Sequence, residues 1–419
     1  MTFRVSPDRP ITFLGYILAG GFLLRIGLIF AVDSAPELFE YDRLARNLLS
    51  GEGYVYTHLG TPYRSFYSGV FYIWLTAGLY TAFPPGHTAV LIAQSFISSI
   101  LAIVIFFIGR QLWSERVGLL GMFLTVTHPA LVYYDTQKLH PLSFDSLAIS
   151  LAVLALLSLQ RDAGVIRVAV AGLALGVAIL QRGSVWPLFA LGVLWILFFG
   201  RPGTHRLRQG AACVLGVALV VSPWVARNYA IHGGVLQEST SAESFWVGNV
   251  LHSYGSNLLP SGQTVLSQAP RDFRAKLLSG NEREQFQLFW QDGITVVHEH
   301  PGAFLLGVVR KFLHFWTFAP QTGQLYPKMY FFLYFAYYFL VLASATLGVI
   351  HLIRARLTEP RPIPGLSLII GTLLSVSAVY SLFYFELRHR WAIEPLLLVL
   401  ASVGLLSRWK LSYRGTCEN

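Results

Sequence analysis

Residues 91–108 read Leu-Ile-Ala-Gln-Ser-Phe-Ile-Ser-Ser-Ile-Leu-Ala-Ile-Val-Ile-Phe-Phe-Ile and contain no charged side chain. As a helix rising about 1.5 Å per residue, this stretch with its apolar flanks crosses the roughly 30 Å hydrocarbon layer of a bilayer. Residues 14–32, 147–159 and 396–406 are nearly as free of charge. The first of these blocks is too long for the apolar part of a secretory signal, so we expect it to be retained. The sequence therefore predicts an integral membrane protein.

Composition and charge placement support this prediction. The 419 residues are 54% hydrophobic and only 12% charged, whereas soluble proteins carry roughly 25% charge. The net charge of +10 is concentrated in short connections and in the tail, at Arg110, Arg116, Arg161, Arg167, Arg201, Arg206, Arg208, Arg354, Arg356, Arg361, Arg408, Lys410 and Arg414. This is the positive-inside pattern, so we expect these segments to face the cytoplasm and expect no nucleic-acid partner.

With that orientation the sequence predicts about ten spans and places both termini inside. They lie at about 11–32, 87–109, 117–134, 141–160, 165–182, 184–200, 210–227, 330–353, 364–385 and 391–407. Two further apolar stretches, 66–83 and 301–318, are rich in aromatic residues and are predicted to lie at the outer interface. If both spanned the membrane instead, the middle of the topology would be inverted.

Two long segments, 33–86 and 228–329, form the predicted outer loops of a single membrane domain covering residues 1–419. In the first loop, apolar residues from Leu38 to Leu48 follow the three-four spacing of one helical face. Glu37 and Glu40 are predicted to lie one turn apart on another face. The alternative is a purely solvated face with a local Asp42–Arg46 pair.

This loop carries a resemblance to a known family. An acidic residue four positions before Tyr41, then Leu-Ala-Arg-Asn-Leu-Leu and Gly-x-Gly-Tyr, resembles the first outer loop of GT-C glycosyltransferases. The resemblance is to the protein mannosyltransferase and aminoarabinose transferase-like families, grouped as glycosyltransferase family 39-like. Further landmarks follow in the same order at 109–113, 128–134, 180–182, 223–229 and 388–390. The likeness covers nearly the whole chain and implies an all-α polytopic, GT-C-like bundle of about ten transmembrane helices.

The resemblance also implies a reaction. Such enzymes transfer a sugar, hexosyl or pentosyl, from a polyprenyl-phosphate carrier to an acceptor outside the cytoplasm, and they invert the anomeric centre. Glu37 takes the position of the general base, with Glu40 as second choice. The family usually has Asp there, so Glu37 is one methylene longer. The acceptor could be a lipid, a glycan or a protein, and membrane lipid is a further partner.

Residues that would bind the donor are predicted from their position at the outer ends of spans. A lipid phosphate favours Arg and Lys at the membrane edge, and the candidates are Arg64, Lys138, Arg182, Arg227, Arg388 and Arg390. For any one of these, snorkelling towards lipid headgroups is the alternative. The predicted substrate pocket adds Tyr41, His140 and Asn249, although a turn is the simpler interpretation of Asn249. Arg25 and Asp145 lie deeper, and each is expected to form a structural ion pair or an interhelical bond.

The sequence does not decide whether the enzyme uses a metal cofactor. Related transferases often carry an extra acid in the stretch around Arg64 that can share a metal, and this chain has none there. No metal ligand is predicted, and a divalent metal is possible. The chain has no Gly-rich phosphate loop and no Asp-x-Asp pair, which argues against a nucleotide-sugar enzyme.

Three other classes compete with a transferase. They are a secondary transporter, a lipid-linked glycan ligase or polymerase of related architecture, and a scaffold with degenerate sites. Transporters concentrate ionisable groups near the bilayer midplane, whereas this chain concentrates them at one interface. By analogy, the compact size and short loops favour a bacterial inner-membrane enzyme. The placement of the basic loops predicts an active site on the periplasmic, outer face.

Overall fold

The computed structural model describes residues 9–32, 35–64, 69–84, 86–161, 163–199, 206–233, 240–319, 326–358 and 364–407. The predicted basic tail and the predicted basic residues at 201 and 361 lie outside these ranges. The described chain is almost entirely helical. Its helices are α1 (Arg9–Ala31), α2 (Glu40–Leu49), α3 (Val70–Ala82), α4 (His87–Leu112), α5 (Glu115–Val126), α6 (Pro129–Gln137), α7 (Leu142–Ser158), α8 (Val165–Gln181), α9 (Trp186–Phe199), α10 (Arg206–His232), α11 (Ser241–Asn249), α12 (Arg271–Ser279), α13 (Glu282–Glu299), α14 (Pro301–Trp316), α15 (Lys328–Thr358), α16 (Pro364–Leu382), α17 (Leu387–Trp391) and α18 (Glu394–Ser407).

Each predicted span corresponds to a helix, except that α5 and α6 together form the third. These two helices meet at a 43° bend, because Pro129 starts α6 and has no backbone N–H with which to continue α5. By length and composition, five of the described helices can cross a membrane alone, namely α1, α4, α10, α15 and α16, and the bent pair makes six. The other four, α7, α8, α9 and α18, are apolar but have 14 to 17 residues. The protein is an all-α, polytopic integral membrane protein, and the count of ten spans stays a prediction.

Helices α3 and α14 cover the two stretches predicted to lie at the interface. With 13 and 16 residues they are about 20 and 24 Å long, which is shorter than the roughly 30 Å hydrocarbon layer. Helix α14 also carries Arg310 and Lys311 near its middle. Length does not separate these two helices from the predicted spans, because α9 and α18 have only 14 residues, so the interfacial placement stays a prediction.

Glycines allow α15 and α18 to come into backbone contact. A Cβ atom on Gly404 of α18 would lie 1.9 Å from the carbonyl oxygen of Ser344 in α15, and one on Gly348 would lie 2.1 Å from that of Leu400. Helices in a membrane have little hydrophobic drive to associate, so such close backbone contact is a principal source of their packing energy.

The first loop differs from its prediction at one important point. Helix α2 begins at Glu40, and residues 37–38 form a short strand, β1, that pairs in parallel with β4 (Lys138–Leu139). The prediction that Glu37 and Glu40 share a helical face is therefore wrong, because strand pairing holds the chain extended before the helix starts. The apolar face of α2 is confirmed by the burial of Leu44. The predicted Asp42–Arg46 pair is also present, at 3.0 Å.

The two loops meet at one end of the bundle, called here the loop end. A hairpin of β2 (Tyr56–His58) and β3 (Thr61–Tyr63) packs on the second loop, where the Thr61 hydroxyl donates to the Gly280 carbonyl at 2.9 Å. His58 pairs with Glu243 of α11 at 2.7 Å. Burial alone would lower the pKa of His58, but the hydrogen bond and charge of Glu243 outweigh it and raise the pKa. Helices α11–α13 enclose a small core of their own around Trp246 and Phe289.

Candidate active site

The pairing of β1 with β4 sets the position of the predicted base. In the strand register Glu37 lies opposite Lys138, and the Lys138 ammonium donates to the Glu37 carboxylate. The lysine side chain is 5% exposed, whereas that of Glu37 is 57% exposed. The pair therefore joins a buried cation to a carboxylate that remains accessible at the loop end.

Aromatic rings surround the Lys138 ammonium. Phe39, Tyr133, Tyr134 and Tyr326 have ring centres between 5.4 and 5.8 Å from Nζ. Ring faces carry partial negative charge and attract a cation at this distance. The rings come from three separate parts of the chain, so they hold the ammonium in one place and the ammonium in turn holds Glu37.

His140 and Tyr41, both predicted in the substrate pocket, are brought together beside this pair. Their ring centres are 5.6 Å apart, and Phe39 and Tyr134 also contact the imidazole at 5.0 and 5.1 Å. Burial, together with the charges of Glu40 and Asp145, raises the pKa of Tyr41 well above its usual value. Tyr41 is therefore a neutral phenol that can donate a hydrogen bond.

Three of the predicted phosphate ligands act on His140. Burial lowers the pKa of His140 well below its usual value, and the positive charges of Arg388, Arg182 and Lys138 lower it further. The imidazole is consequently neutral. These three cations come from segments far apart in sequence, and the fold brings each of them close enough to lower the pKa of one uncharged ring.

Arg182 is recessed and ion-paired. It lies at the C-terminal end of α8, is 9% exposed and donates to Asp145 of α7. Its Nε donates to the Tyr380 hydroxyl at 2.9 Å, and Gln181 donates to the other Asp145 oxygen at 3.0 Å. The expectation that Asp145 forms an ion pair is confirmed. The equivalent expectation for Arg25 is also confirmed, because its Nε donates to Asp135 at 2.8 Å.

Arg388 is the most accessible of the three cations around His140. Its side chain is 25% exposed and pairs with Glu386 at 2.9 Å. The pKa of Arg388 is raised well above its usual value: burial opposes this, and the negative charge of Glu386 outweighs burial. Tyr134 and Tyr326, which surround Lys138, also act on Arg388. Arg388 therefore lies close to the aromatic rings around Lys138 and retains accessible surface.

Arg390 has different surroundings from those predicted. Its guanidinium is fully buried and donates to Glu394 at 2.8 Å, to the Tyr334 hydroxyl at 2.9 Å and to the carbonyls of Phe315 and Thr317 at 2.7 and 2.9 Å. Glu394 is held further by His128 at 2.6 Å. These contacts form a buried hydrogen-bond network that links several helices inside the protein. The predicted contact of Arg390 with a lipid phosphate is therefore corrected to a structural role.

The remaining predicted residues lie elsewhere at the loop end. Arg227 stacks over Trp224 at 4.9 Å and Tyr54 at 5.5 Å. Arg64 is exposed, and its backbone N–H donates to Glu282 at 2.8 Å.

Asn249 is similarly displaced from its predicted place in the substrate pocket. Its amide donates to the carbonyls of Phe245 and Leu382 at 2.7 and 2.8 Å, and its oxygen accepts from Lys311 at 2.7 Å. These bonds tie α11 to α14 and α16, so Asn249 has a structural role at the last residue of α11.

Two residues of the site were missed by sequence reasoning. Glu386 stands two positions before Arg388, and Tyr326 lies before α15 in an aromatic-rich stretch. The acid beside the basic cluster was a usable signal for Glu386. Nothing local distinguishes Tyr326 from its aromatic neighbours. Among the described residues, no three His, Cys, Asp or Glu side chains lie together as metal ligands.

The arrangement combines an accessible carboxylate with three cations and a neutral donor ring. A carboxylate can accept a proton from an attacking hydroxyl, and fixed cations can stabilise a departing anion without moving. This combination suits displacement of an anionic leaving group at the membrane edge.

Comparisons with known proteins address the fold. Residues 68–226 match the family model of dolichyl-phosphate-mannose-protein mannosyltransferases. The archaeal oligosaccharyltransferase AglB from Archaeoglobus fulgidus, in complex with an inhibitory peptide and a dolichol-phosphate, is similar with a TM-score of 0.55. The chain has the GT-C fold. The sequence identity to AglB is 12% over 97% of this chain and 52% of AglB, so the chain spans about half the length of that GT-C protein.

Two further solved structures are similar to the chain. The apo form of the Archaeoglobus fulgidus oligosaccharyltransferase has a TM-score of 0.55 at 12% identity, covering 95% of this chain and 51% of its own. ArnT from Cupriavidus metallidurans, bound to undecaprenyl phosphate, has a TM-score of 0.45 at 16% identity, covering 96% and 79%. No curated protein is significantly similar to the chain in sequence. The family match includes Lys138, His140 and Arg182 but ends before Arg388.

Proposed function

We propose that this protein transfers a sugar from a polyprenyl-phosphate-linked donor to an acceptor hydroxyl at the loop end, with inversion. The observation that carries the proposal is the accessible carboxylate of Glu37, which is paired with the buried Lys138. The neighbouring imidazole of His140 has its pKa lowered by the positive charges of Arg182 and Arg388. No other position in the described chain combines an exposed carboxylate with the cations predicted for a lipid phosphate.

The chemistry follows from these charges. The acceptor oxygen forms a bond to the anomeric carbon, and the bond from that carbon to the phosphate oxygen breaks. The acceptor proton passes to Glu37, and polyprenyl phosphate leaves with the electron pair of the broken bond. Arg388, which keeps 25% side-chain exposure, is the cation best placed to contact the departing phosphate, while Lys138 orients the base.

Glu40 is the second candidate for the base. It is the first residue of α2 and half-buried, and its charge acts on Tyr41 and on His58. It therefore faces the junction between the two loops. Glu37 is preferred because it is directly coupled to Lys138.

The polyprenyl-phosphate donor is supported by the setting of the site. The site lies at the end of a membrane bundle, where a phosphate on a lipid tail can reach it without leaving the bilayer. The structure of AglB holds a dolichol-phosphate, and such a ligand suits a cluster of cations.

The orientation in the membrane rests on charge. The basic connections predicted to be cytoplasmic, such as 110–116 and 161–167, alternate with the loop-end segments along the chain. By the positive-inside rule the loop end faces outwards. In a bacterial inner membrane this would be the periplasmic side.

Turnover by the purified protein tests the proposal. Undecaprenyl-phosphate-linked hexose and pentose are supplied with a membrane extract from a strain lacking the protein, and release of undecaprenyl phosphate is measured with transfer of labelled sugar. Glu37→Gln is expected to lower kcat by about 10²- to 10⁴-fold. Glu52→Gln, an exposed carboxylate in the same loop, is the matched control and should leave kcat unchanged.

The outcomes separate the alternatives. Unchanged turnover in Glu37→Gln, with loss in Glu40→Gln, would transfer the role of base to Glu40. Unchanged turnover in both would refute the catalytic assignment. Uptake of sugar into proteoliposomes without transfer would favour a secondary transporter. Transfer of a whole lipid-linked glycan in place of a single sugar would favour a ligase.

A further inference from the structure

One buried nitrogen in the candidate site has no hydrogen-bond partner. Nδ1 of His140 is enclosed by protein, and none of the described residues bonds to it. Nε2 is not enclosed in this way, although the residue as a whole is only 5% exposed. The two sides of the imidazole therefore have different environments.

This difference selects the tautomer. Burial and the surrounding cations keep the ring neutral, so it carries a single N–H. A proton on Nδ1 would bury an unsatisfied donor, whereas a proton on Nε2 leaves only an unsatisfied lone pair. Buried N–H groups without a partner are the rarer and costlier of the two. The Nε2–H tautomer is therefore favoured.

The orientation of the ring is fixed by its neighbours. Phe39, Tyr41 and Tyr134 contact it nearly at right angles, with interplanar angles of 80°, 78° and 90°. These contacts fix the plane of the imidazole. The N–H donor is thus on the accessible side of a ring on which the positive charges of Arg388, Arg182 and Lys138 act, and those charges favour an anion nearby.

We propose that His140 donates its Nε2–H hydrogen bond directly to the phosphate of the polyprenyl donor. The inference rests on the proposed function and names a residue that contacts the substrate. A neutral donor adds a directional hydrogen bond to the phosphate. Because it is uncharged, it does not repel the three nearby cations. Being uncharged, it also leaves the affinity of the arginines for the phosphate intact.

Amide substitutions test which nitrogen donates. In His140→Gln the side-chain amide nitrogen can reach the position of Nε2, whereas in His140→Asn it can reach only that of Nδ1. Binding of undecaprenyl phosphate, without any sugar, is measured on the purified protein in detergent by intrinsic tryptophan fluorescence. His140→Gln should bind within about threefold of wild type, and His140→Asn and His140→Phe should bind about 10- to 100-fold more weakly. His298→Gln, on an exposed turn of α13, is the control and should bind as wild type does.

Each outcome decides the inference. If His140→Gln binds as weakly as His140→Phe while both keep wild-type thermal stability and circular dichroism, the hydrogen bond is refuted. Retention by Asn with loss by Gln would refute the tautomer. If inorganic phosphate competes as well as undecaprenyl phosphate, and with the same dependence on residue 140, the ligand is a free anion and the lipid assignment fails.

The binding assay also separates this inference from the proposed function. If the wild-type protein binds undecaprenyl phosphate through residue 140 but never transfers sugar, the transferase proposal is refuted and the inference is supported. Protein that transfers sugar equally well as His140→Phe would sink the inference alone.

Discussion

Replacing Arg390 by Lys distinguishes a structural arginine from a phosphate ligand. The substitution keeps the positive charge but removes the planar fork that reaches four acceptors: Glu394, Tyr334 and the carbonyls of Phe315 and Thr317. A lysine ammonium has a different shape, and it can satisfy no more than about two of these acceptors at once. If two bonds to a charged donor are lost, at about 1.5–3 kcal/mol each, the free energy of unfolding falls by about 3–6 kcal/mol.

The measurement is equilibrium unfolding in mixed micelles with increasing denaturing detergent, followed by circular dichroism. Arg388→Lys is the matched control, because Arg388 is 25% exposed and has one ion pair with Glu386. It should lose less than about 1 kcal/mol of stability but bind undecaprenyl phosphate more weakly. The reverse pattern would refute the reasoning: an Arg390→Lys protein as stable as wild type that binds the lipid about tenfold more weakly.

Two further substitutions probe the bundle and the contact between the loops. Gly404→Ala should destabilise the protein by at least about 1–3 kcal/mol in the same unfolding assay, because the new Cβ would meet the backbone oxygen of Ser344 at 1.9 Å. The loops of the wild type should become more sensitive to limited proteolysis as pH rises through the raised pKa of His58, and Glu243→Gln should abolish this pH dependence. The pKa of His58 is raised in the fold, so its pairing stabilises fully below the unfolded value of about 6.5 and is lost as pH rises through the folded-state pKa.

Each of these predictions has a control in the same chain. Gly307→Ala in α14 introduces a Cβ with nothing within 4 Å, so stability should be unchanged or slightly increased. If Gly404→Ala behaves in the same way, the close contact of α15 and α18 is absent. For the loops, equal proteolysis of wild type and Glu243→Gln at every pH would show that the His58 pair does not hold them together.

Much of the architecture could be predicted because it depends on local sequence. Uninterrupted apolar runs such as residues 91–108 select a helix in lipid, where every backbone polar group must be bonded within the segment. The apolar face of α2 follows from three-four spacing in the same way. These patterns extend over one helix at a time, so no knowledge of neighbours is needed.

The details of the site depended on distant pairing. Glu37 was assigned to a helix because its local sequence allows one, but the chain is held extended by pairing with residues 138–139, about a hundred positions later. Arg390 looked like Arg388 in sequence, since both lie in one short basic segment. Only the buried carboxylate of Glu394 and two backbone carbonyls from before α15 distinguish them.

The sequence by itself determined that this protein is a helical membrane bundle with its acidic and basic candidates at one end. Hydropathy and charge placement act along the chain and are readable there. The tertiary structure alone decided which candidates interact. Lys138 pairs with Glu37, Asp145 pairs with Arg182, and three cations lower the pKa of His140. The ion pairs and the unbonded Nδ1 of His140 depend on distances of a few ångströms between segments far apart in sequence. No local pattern encodes those distances.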